Sequence, residues 1–138
     1  MLEFTKIDCL DDVEDEVLHY RAKRARSGRS TGFVVKVDGV EHGFLAYDDW
    51  SEKSEGFIYE VFVLPGCRKR GLGAKMLSYA EDVAIKLGCK CIRLEPRSLD
   101  SEIDINWLVS WYEAKGYVEK SSDGVMEKNL ASTLTPDF

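Results

Sequence analysis

The segment at positions 65–74 has the residue types that a phosphate-binding loop needs: Pro and Gly, then three cations, then Gly-Leu-Gly-Ala. It follows an apolar, strand-like run and precedes a helical pattern that begins at Leu72. Backbone N–H groups in the first turn of a helix lack intrahelical partners, and the helix dipole favours an anion there. Gly71 and Gly73 lack a Cβ, so a diphosphate can approach the main chain closely.

Two common nucleotide motifs do not fit this loop. A P-loop would place Lys and a hydroxyl residue where Leu72 and Gly73 stand, and a dinucleotide fingerprint would place a third glycine where Met76 stands. A third pattern, Arg/Gln-x-x-Gly-x-Gly/Ala, is met by residues 68–73, and Val63-Leu64-Pro65 closes the preceding strand. In these features the chain resembles the GNAT superfamily of acetyl-CoA-dependent N-acetyltransferases. A solvated basic turn that happens to contain glycines is the alternative.

A second motif strengthens the resemblance. Tyr-x-x-x-Gly-Phe/Tyr closes the penultimate helix in that superfamily, and here Tyr112, Gly116 and Tyr117 meet it. The resemblance covers roughly residues 2–130, so it implies one domain over residues 1–130 and a flexible C-terminal tail over residues 131–138.

The resemblance also implies the site. Acetyl-CoA would be the co-substrate, with its pyrophosphate on the glycine loop, and no metal ion would be needed. The strand before the loop would separate from its parallel neighbour, so that its backbone could pair with pantetheine. The implied cofactor-binding residues are Phe62, Val63, Arg68, Lys69, Arg70, Gly71, Leu72, Gly73 and Ala74.

Acetyl transfer from a thioester to an amine needs a group that receives the amine proton and a group that neutralises the leaving thiolate. Tyr112 matches the tyrosine that protonates the CoA thiolate in many relatives, although a buried packing role is its alternative. Glu60, the only acid in the central strand, is the candidate general base, and His42 in the neighbouring strand is the reserve candidate. Alternation along the strand does not show which face meets the acceptor, so a surface position for Glu60 stays open.

The order of predicted elements is β-α-β-β-β-α-β-α-β-β, which indicates an α/β (mixed α+β) fold of the GNAT type. We expect a mostly antiparallel central sheet, one βαβ crossover, and helices on both faces. The predicted strands and helices follow from apolar periodicity and from turn and cap signals. The strands are residues 2–7, 31–37, 40–47, 57–63, 91–94, 117–120 and 125–130, and the helices start after Asp11 or Asp12, at Leu72, and after a capping box at 101–104.

Composition limits the partners. A net charge of −6 argues against a general nucleic-acid binder, and no apolar run approaches the ~20 residues of a membrane span. The first residues lack the plan of a signal peptide, so we expect a cytoplasmic protein with reduced cysteines.

The acceptor would be a small-molecule or peptide amine. The acidic stretch at 48–55 predicts a cationic one, although a solvated loop remote from the site is the alternative. A homodimer, a non-catalytic acetyl-CoA-binding module and a partner-binding module also stay open.

Overall fold

The structure, a computed structural model, describes residues 1–25, 28–97 and 103–130 and contains a seven-stranded mixed sheet in the order β1-β2-β3-β4-β5-β7-β6. The pairing of β4 with β5 is parallel and the other pairings are antiparallel. This confirms the predicted mixed sheet and its crossover through α2. In chain order the elements are β1 (Leu2–Lys6), α1 (Glu16–Arg24), β2 (Ser30–Val37), β3 (Val40–Trp50), β4 (Glu55–Val63), α2 (Leu72–Lys86), β5 (Cys91–Leu94), α3 (Ile105–Ala114), β6 (Val118–Glu119) and β7 (Met126–Asn129).

Two clusters of buried side chains cover the two faces of the sheet. The α2-side cluster contains the apolar stripe of α2, the inward side chains of the central strands, and Tyr112 of α3. The α1-side cluster contains Leu18 and Ala22 of α1 together with Phe44 and Phe62 of the sheet. Each fully buried side chain of this size contributes about 1.5–3 kcal/mol through removal from water, so the two clusters hold the helices against the sheet.

Helix α1 begins later than predicted. Its N-cap is Asp15, whose carboxylate accepts hydrogen bonds from the N–H groups of Val17 (2.9 Å) and Leu18 (3.0 Å), whereas residues 10–12 form a short 3₁₀ turn. The Glu41 carboxylate accepts the N–H groups of Glu14 and Asp15, at 2.7 Å for the latter. Because this contact comes from a distant strand, the local cap signals at Asp11 and Asp12 could not locate the start of the helix.

Half of the predicted acidic connection at 48–55 is strand. β3 continues to Trp50 and β4 starts at Glu55, which leaves residues 51–54 as a tight turn. The guanidinium of Arg29 lies 3.6 Å above the Trp50 ring and covers the end of β3. Of the capping box predicted at 101–104, residues 101 and 102 lie outside the described residues, whereas Asp104 accepts the N–H of Asn106 at 2.7 Å. Residues 131–138, predicted to be a tail, also lie outside them.

Gly56 at the start of β4 is needed for close packing. A Cβ at this position would collide with the Tyr47 hydroxyl and would lie 3.1 Å from the Cβ of Ala84. Because all three residues are buried between β4 and α2, neither neighbour can move into solvent.

We therefore predict that Gly56→Ala lowers the free energy of unfolding by about 1–3 kcal/mol, as overpacking of a core does. Tyr47→Phe removes the colliding atom, so the same substitution in the Tyr47→Phe background should cost less. Tyr47→Phe alone should cost little, because within the described chain the buried hydroxyl has no partner stronger than the thiol of Cys89. Urea unfolding of the four proteins measures the coupling, and equal penalties in both backgrounds would contradict it.

Candidate functional site

Strands β4 and β5 pair only over the first part of β4. The parallel pairing runs from Glu55↔Cys91 to Ile58↔Leu94 and stops there, whereas β4 continues to Val63. Residues 59–63 therefore have β3 on one side and an opening on the other. In a continuous sheet the backbone groups on that side would bond to a neighbouring strand, so the opening exposes part of a sheet edge inside the fold.

A β-bulge lies where the strands separate. Ala46 of β3 is opposite Glu60, and Tyr47 is opposite Ile58, so Tyr59 is one extra residue in β4. The bulge exchanges the two faces of the strand. Ile58 packs in the α2-side cluster, whereas Phe62, four residues on, packs in the α1-side cluster. Simple alternation along β4 would therefore place Glu60 on the wrong face.

The backbone direction of β4 beyond the bulge follows from one peptide group. The N–H of Leu64 donates to the carbonyl of His42 in β3 at 2.9 Å, so the carbonyl of Val63 points away from β3. There it accepts a hydrogen bond from Nε of Arg68 at 2.9 Å. In an extended strand the N–H of Val63 points the same way, and that of Val61 does so by alternation. Phe62 and Val63 were both predicted to offer backbone groups to the cofactor. The backbone N–H and C=O of Val63 point into the opening, whereas those of Phe62 point toward β3.

The glycine loop has an unusual backbone. After a 3₁₀ turn at Pro65–Cys67, Lys69 (φ 67°) and Gly71 (φ 77°) adopt left-handed conformations, and α2 begins at Leu72. Within the described part of the chain no side chain caps this helix start, so its first N–H groups can bind a ligand. A turn with left-handed residues directly before a helix start can bring successive N–H groups together in a concave nest, which suits an anion. A Cβ added at Gly71 would meet nothing within 4 Å, so the space above the loop is open.

One cleft of about 1130 Å³ joins the opening to the loop. Its walls are β4 from the bulge onward, the glycine loop, the end of β5 and one face of α3. Apart from Arg70 and the reserve candidate His42, every predicted site residue lines this cleft: Glu60, Phe62, Val63, Arg68, Lys69, Gly71, Leu72, Gly73, Ala74 and Tyr112. The structure therefore brings together residues that lie up to 52 positions apart, from Glu60 to Tyr112.

Helix α3 contributes Tyr112 to the wall. The ring is 7% exposed and meets Trp111 (5.2 Å between centroids) and Tyr117 (6.0 Å) edge-on. Burial raises the pKa of Tyr112 to about 12, and the charge of Arg97 partly opposes this rise. The phenol therefore stays protonated at neutral pH and can donate a proton into the cleft. Trp111 lies so close to the loop that a Cβ at Gly73 would be 3.3 Å from its ring, so the helix and the loop are packed together.

Glu60 is buried and paired. Its carboxylate accepts a hydrogen bond from Nη1 of Arg21 at 2.8 Å, and the guanidinium of Arg21 lies 3.7 Å above the Phe62 ring. The Arg21 side chain is only 15% exposed. Arg21 is therefore largely buried, although it belongs to a basic helix end with Lys23 and Arg24. A buried carboxylate needs such a counter-charge, because desolvation of an unpaired charge is costly.

Two other predicted features lie away from the cleft. His42 does not line it, and its Nδ1 contacts the carbonyl of Val40 at 2.9 Å. The acidic residues of 48–55 lie at the opposite end of β4 from the loop and also do not line the cleft. They bond instead to neighbours: Asp48 to Ser30, Asp49 to the N–H of Ser51, Glu52 to Arg29, and Glu55 to Arg93. Their position does not support a role in acceptor entry.

Within 1–25, 28–97 and 103–130, no three His, Cys, Asp or Glu side chains come together as a metal site would require. In the same ranges no helix has both the length and the apolar character needed to cross a bilayer.

Comparisons with known proteins agree with this geometry. A family model described as the acetyltransferase (GNAT) family matches residues 1–103. Bacillus subtilis YhfO, an uncharacterised N-acetyltransferase, is 31% identical over 100 residues, which cover 70% of this chain and 64% of YhfO. The chain covers 45% of the length of a second curated relative, so it spans less than two thirds of either.

Solved structures share the fold over almost the whole chain. The ribosomal-protein-S18-alanine N-acetyltransferase of Escherichia coli has a TM-score of 0.70 at 18% identity, with 95% of each chain covered. The PaiA N-acetyltransferase of Thermoplasma acidophilum, in complex with coenzyme A, has a TM-score of 0.65 at 16% identity, covering 94% of this chain and 99% of that one. At these identities the likeness shows the fold alone.

Proposed function

The chain belongs to the acetyltransferase (GNAT) family, and on that premise we propose that it transfers an acetyl group from acetyl-CoA to a primary amine on a small molecule or peptide. One observation carries the proposal: the opening in the sheet beyond Ile58↔Leu94 leads on one side to the left-handed glycine loop and on the other to Tyr112. A long ligand with a phosphate group at one end and a reactive group at the other matches this shape. The fold shared with a coenzyme A complex supports the same ligand.

The residues of the cleft fit acetyl-CoA in three respects. The nest at Lys69–Gly71 and the uncapped start of α2 offer N–H groups for the pyrophosphate. The N–H groups of Val61 and Val63 point into the opening, where they can bond to the amides of a pantetheine arm. The volume of about 1130 Å³ is at the upper end of ordinary ligand sites, as a ligand of this size requires. When bound, acetyl-CoA supplies the activated acyl group.

Two side chains would manage the protons. As the amine nitrogen bonds to the acyl carbon, the C–S bond breaks and its electron pair goes to sulfur. Glu60, held by Arg21, receives the proton that the amine nitrogen loses, directly or through a water molecule. Tyr112 gives its hydroxyl proton to the sulfur and regains one from solvent, because its raised pKa keeps it protonated before each turnover.

The first prediction concerns the loop. Acetyl-CoA at 100 times its Kd should raise the free energy of unfolding by about 2.7 kcal/mol, and acetyl-pantetheine at the same concentration should do much less. Lys69→Asn removes a charge from the cleft and keeps a residue that tolerates the left-handed conformation, so it should weaken acetyl-CoA binding. Arg70→Gln removes a charge that does not line the cleft and is the matched control. Equal stabilisation by the two thioesters, measured by thermal shift, would contradict phosphate binding here.

The second prediction concerns the proton donor. Tyr112→Phe keeps the ring contacts with Trp111 and Tyr117 and removes only the hydroxyl. It should lower kcat by about 100-fold, within the range for general acids, and leave the Kd of acetyl-CoA nearly unchanged. Because the pKa of Tyr112 is about 12, the wild-type enzyme should lose no activity through this residue between pH 7 and about pH 10. Wild-type turnover in the variant would assign the proton to another donor.

The third prediction concerns the base. Glu60→Gln keeps the size and a hydrogen-bond acceptor for Arg21 but removes the proton acceptor. At neutral pH, kcat/KM should fall by about 100-fold. Glu60→Asp retains the charge and should keep more activity than the Gln variant. Circular dichroism and urea unfolding must accompany the assay, because loss of one partner of a buried ion pair also destabilises the fold. A folded Gln variant with unchanged kcat/KM would exclude Glu60 as the base.

A further inference from the structure

Arg97 reconnects the two strands just beyond the point where they separate. It follows β5, which ends at Leu94, and its Nη2 donates a hydrogen bond to the carbonyl of Tyr59 at 2.6 Å. Its guanidinium carbon also lies 4.7 Å from the centre of the Tyr59 ring. Tyr59 is the bulge residue of β4, so this one side chain spans from the continuation of β5 to the bulge.

These contacts fix the guanidinium at the inner end of the opening. Arg97 is exposed, but a hydrogen bond and a stacking contact to the same residue restrict its planar group. Tyr59 directly follows Ile58, which forms the last backbone pair of β4 and β5 with Leu94. Arg97 therefore links the continuation of β5 to β4 one residue beyond the end of the strand pairing.

Arg97 also acts on Tyr112 electrostatically. Its positive charge opposes the rise in the pKa of the phenol that burial causes. Both residues line the cleft, and they approach it from different elements, the end of β5 and α3. The place between them is where a thioester would end if the pantetheine arm followed Val63 and Val61 inward from the glycine loop.

We propose that Arg97 takes part in the acetyl transfer by holding a fixed positive charge at the sulfur of CoA and by positioning the bulge of β4 beside that sulfur. This inference rests on the proposed function. When the C–S bond breaks, the electron pair leaves a negative charge on sulfur until Tyr112 gives its proton. A guanidinium fixed beforehand lowers the energy of that charge without reorganisation, as preorganised cations do in other active sites.

Other charged and titratable groups face the same space, so their effects on the thiol must be distinguished from the effect of Arg97. Lys115 of α3 supplies a second positive charge, but it lies over the Trp111 ring (5.6 Å), nearer to the loop. Of the described residues, the other such groups that line the cleft are Tyr59, Glu60, Arg68, Lys69, Glu95, Asp104 and Tyr112. Arg21, the partner of Glu60, does not line the cleft itself.

The test measures the pKa of the CoA thiol while CoA is bound. The ultraviolet absorbance of the thiolate is followed against pH, and a parallel titration with desulfo-CoA, which lacks the sulfur, subtracts the protein's own tyrosines and cysteines. An opposite charge within ~4–6 Å lowers a pKa by ~1–3 units, so Arg97→Gln should raise the pKa of the bound thiol by at least about one unit. Arg97→Lys should give an intermediate value, and Lys115→Gln, the control for total charge, should leave it nearly unchanged.

The outcomes distinguish a failure of the proposed function from a failure of the proposed role of Arg97. If CoA does not bind the wild-type protein, the proposed function itself fails. If CoA binds and the thiol has the same pKa in wild type and Arg97→Gln, the electrostatic role of Arg97 is excluded. A lowered melting temperature with an unchanged thiol pKa would likewise reduce Arg97 to a structural link between β4 and β5 and would overturn the proposal.

Discussion

The candidate site depends on the register of one strand. A single extra residue, Tyr59, lies in β4 where its parallel pairing with β5 ends, and these two features together create the opening. Without the bulge, Glu60 would share a face with Ile58 in the α2-side cluster, as simple alternation requires. With it, Glu60 meets Arg21 on the α1 side, and the backbone of Val63 beyond it points away from β3 into the opening. The opening lies between the glycine loop and Tyr112, so one long ligand could contact both of them.

Arginine–aromatic stacking holds the polar parts of this site in place. Arg21 lies over Phe62 while it pairs with Glu60, and Arg97 lies over Tyr59 while it bonds to the same residue's carbonyl. In each case the aromatic ring fixes the plane of the guanidinium, so that less side-chain entropy is lost when the polar contact forms. The bulge thus has two held cations beside it, Arg21, which is paired with a carboxylate, and Arg97, which is bonded to the bulge carbonyl.

The sequence predicted what is encoded locally. The order of elements, the glycine loop and the closing Tyr112–Tyr117 motif follow from periodicity and short motifs, and the structure confirms the elements. The misplaced features depend on distant contacts. The start of α1 is fixed by Glu41, the partner of Glu60 comes from α1, and the bulge changes which residues face the cleft. A one-residue insertion leaves no signature in a strand where both faces are buried, because the residues on either side are suitable for either core.

Charge shows the same dependence on position. The chain has a net charge of −6, and the acidic stretch at 48–55 predicted a cationic acceptor. Those carboxylates instead bond to Ser30, Arg29 and Arg93 at the far end of β4, so their charge is largely compensated where it lies. Among the residues that the structure describes, the cleft has the opposite balance, because four cationic side chains and three carboxylates of this part of the chain line it. This local excess of positive charge in an acidic protein favours a polyanionic ligand in the cleft. The charge of the cleft therefore supports binding of the CoA phosphates and does not identify the acceptor.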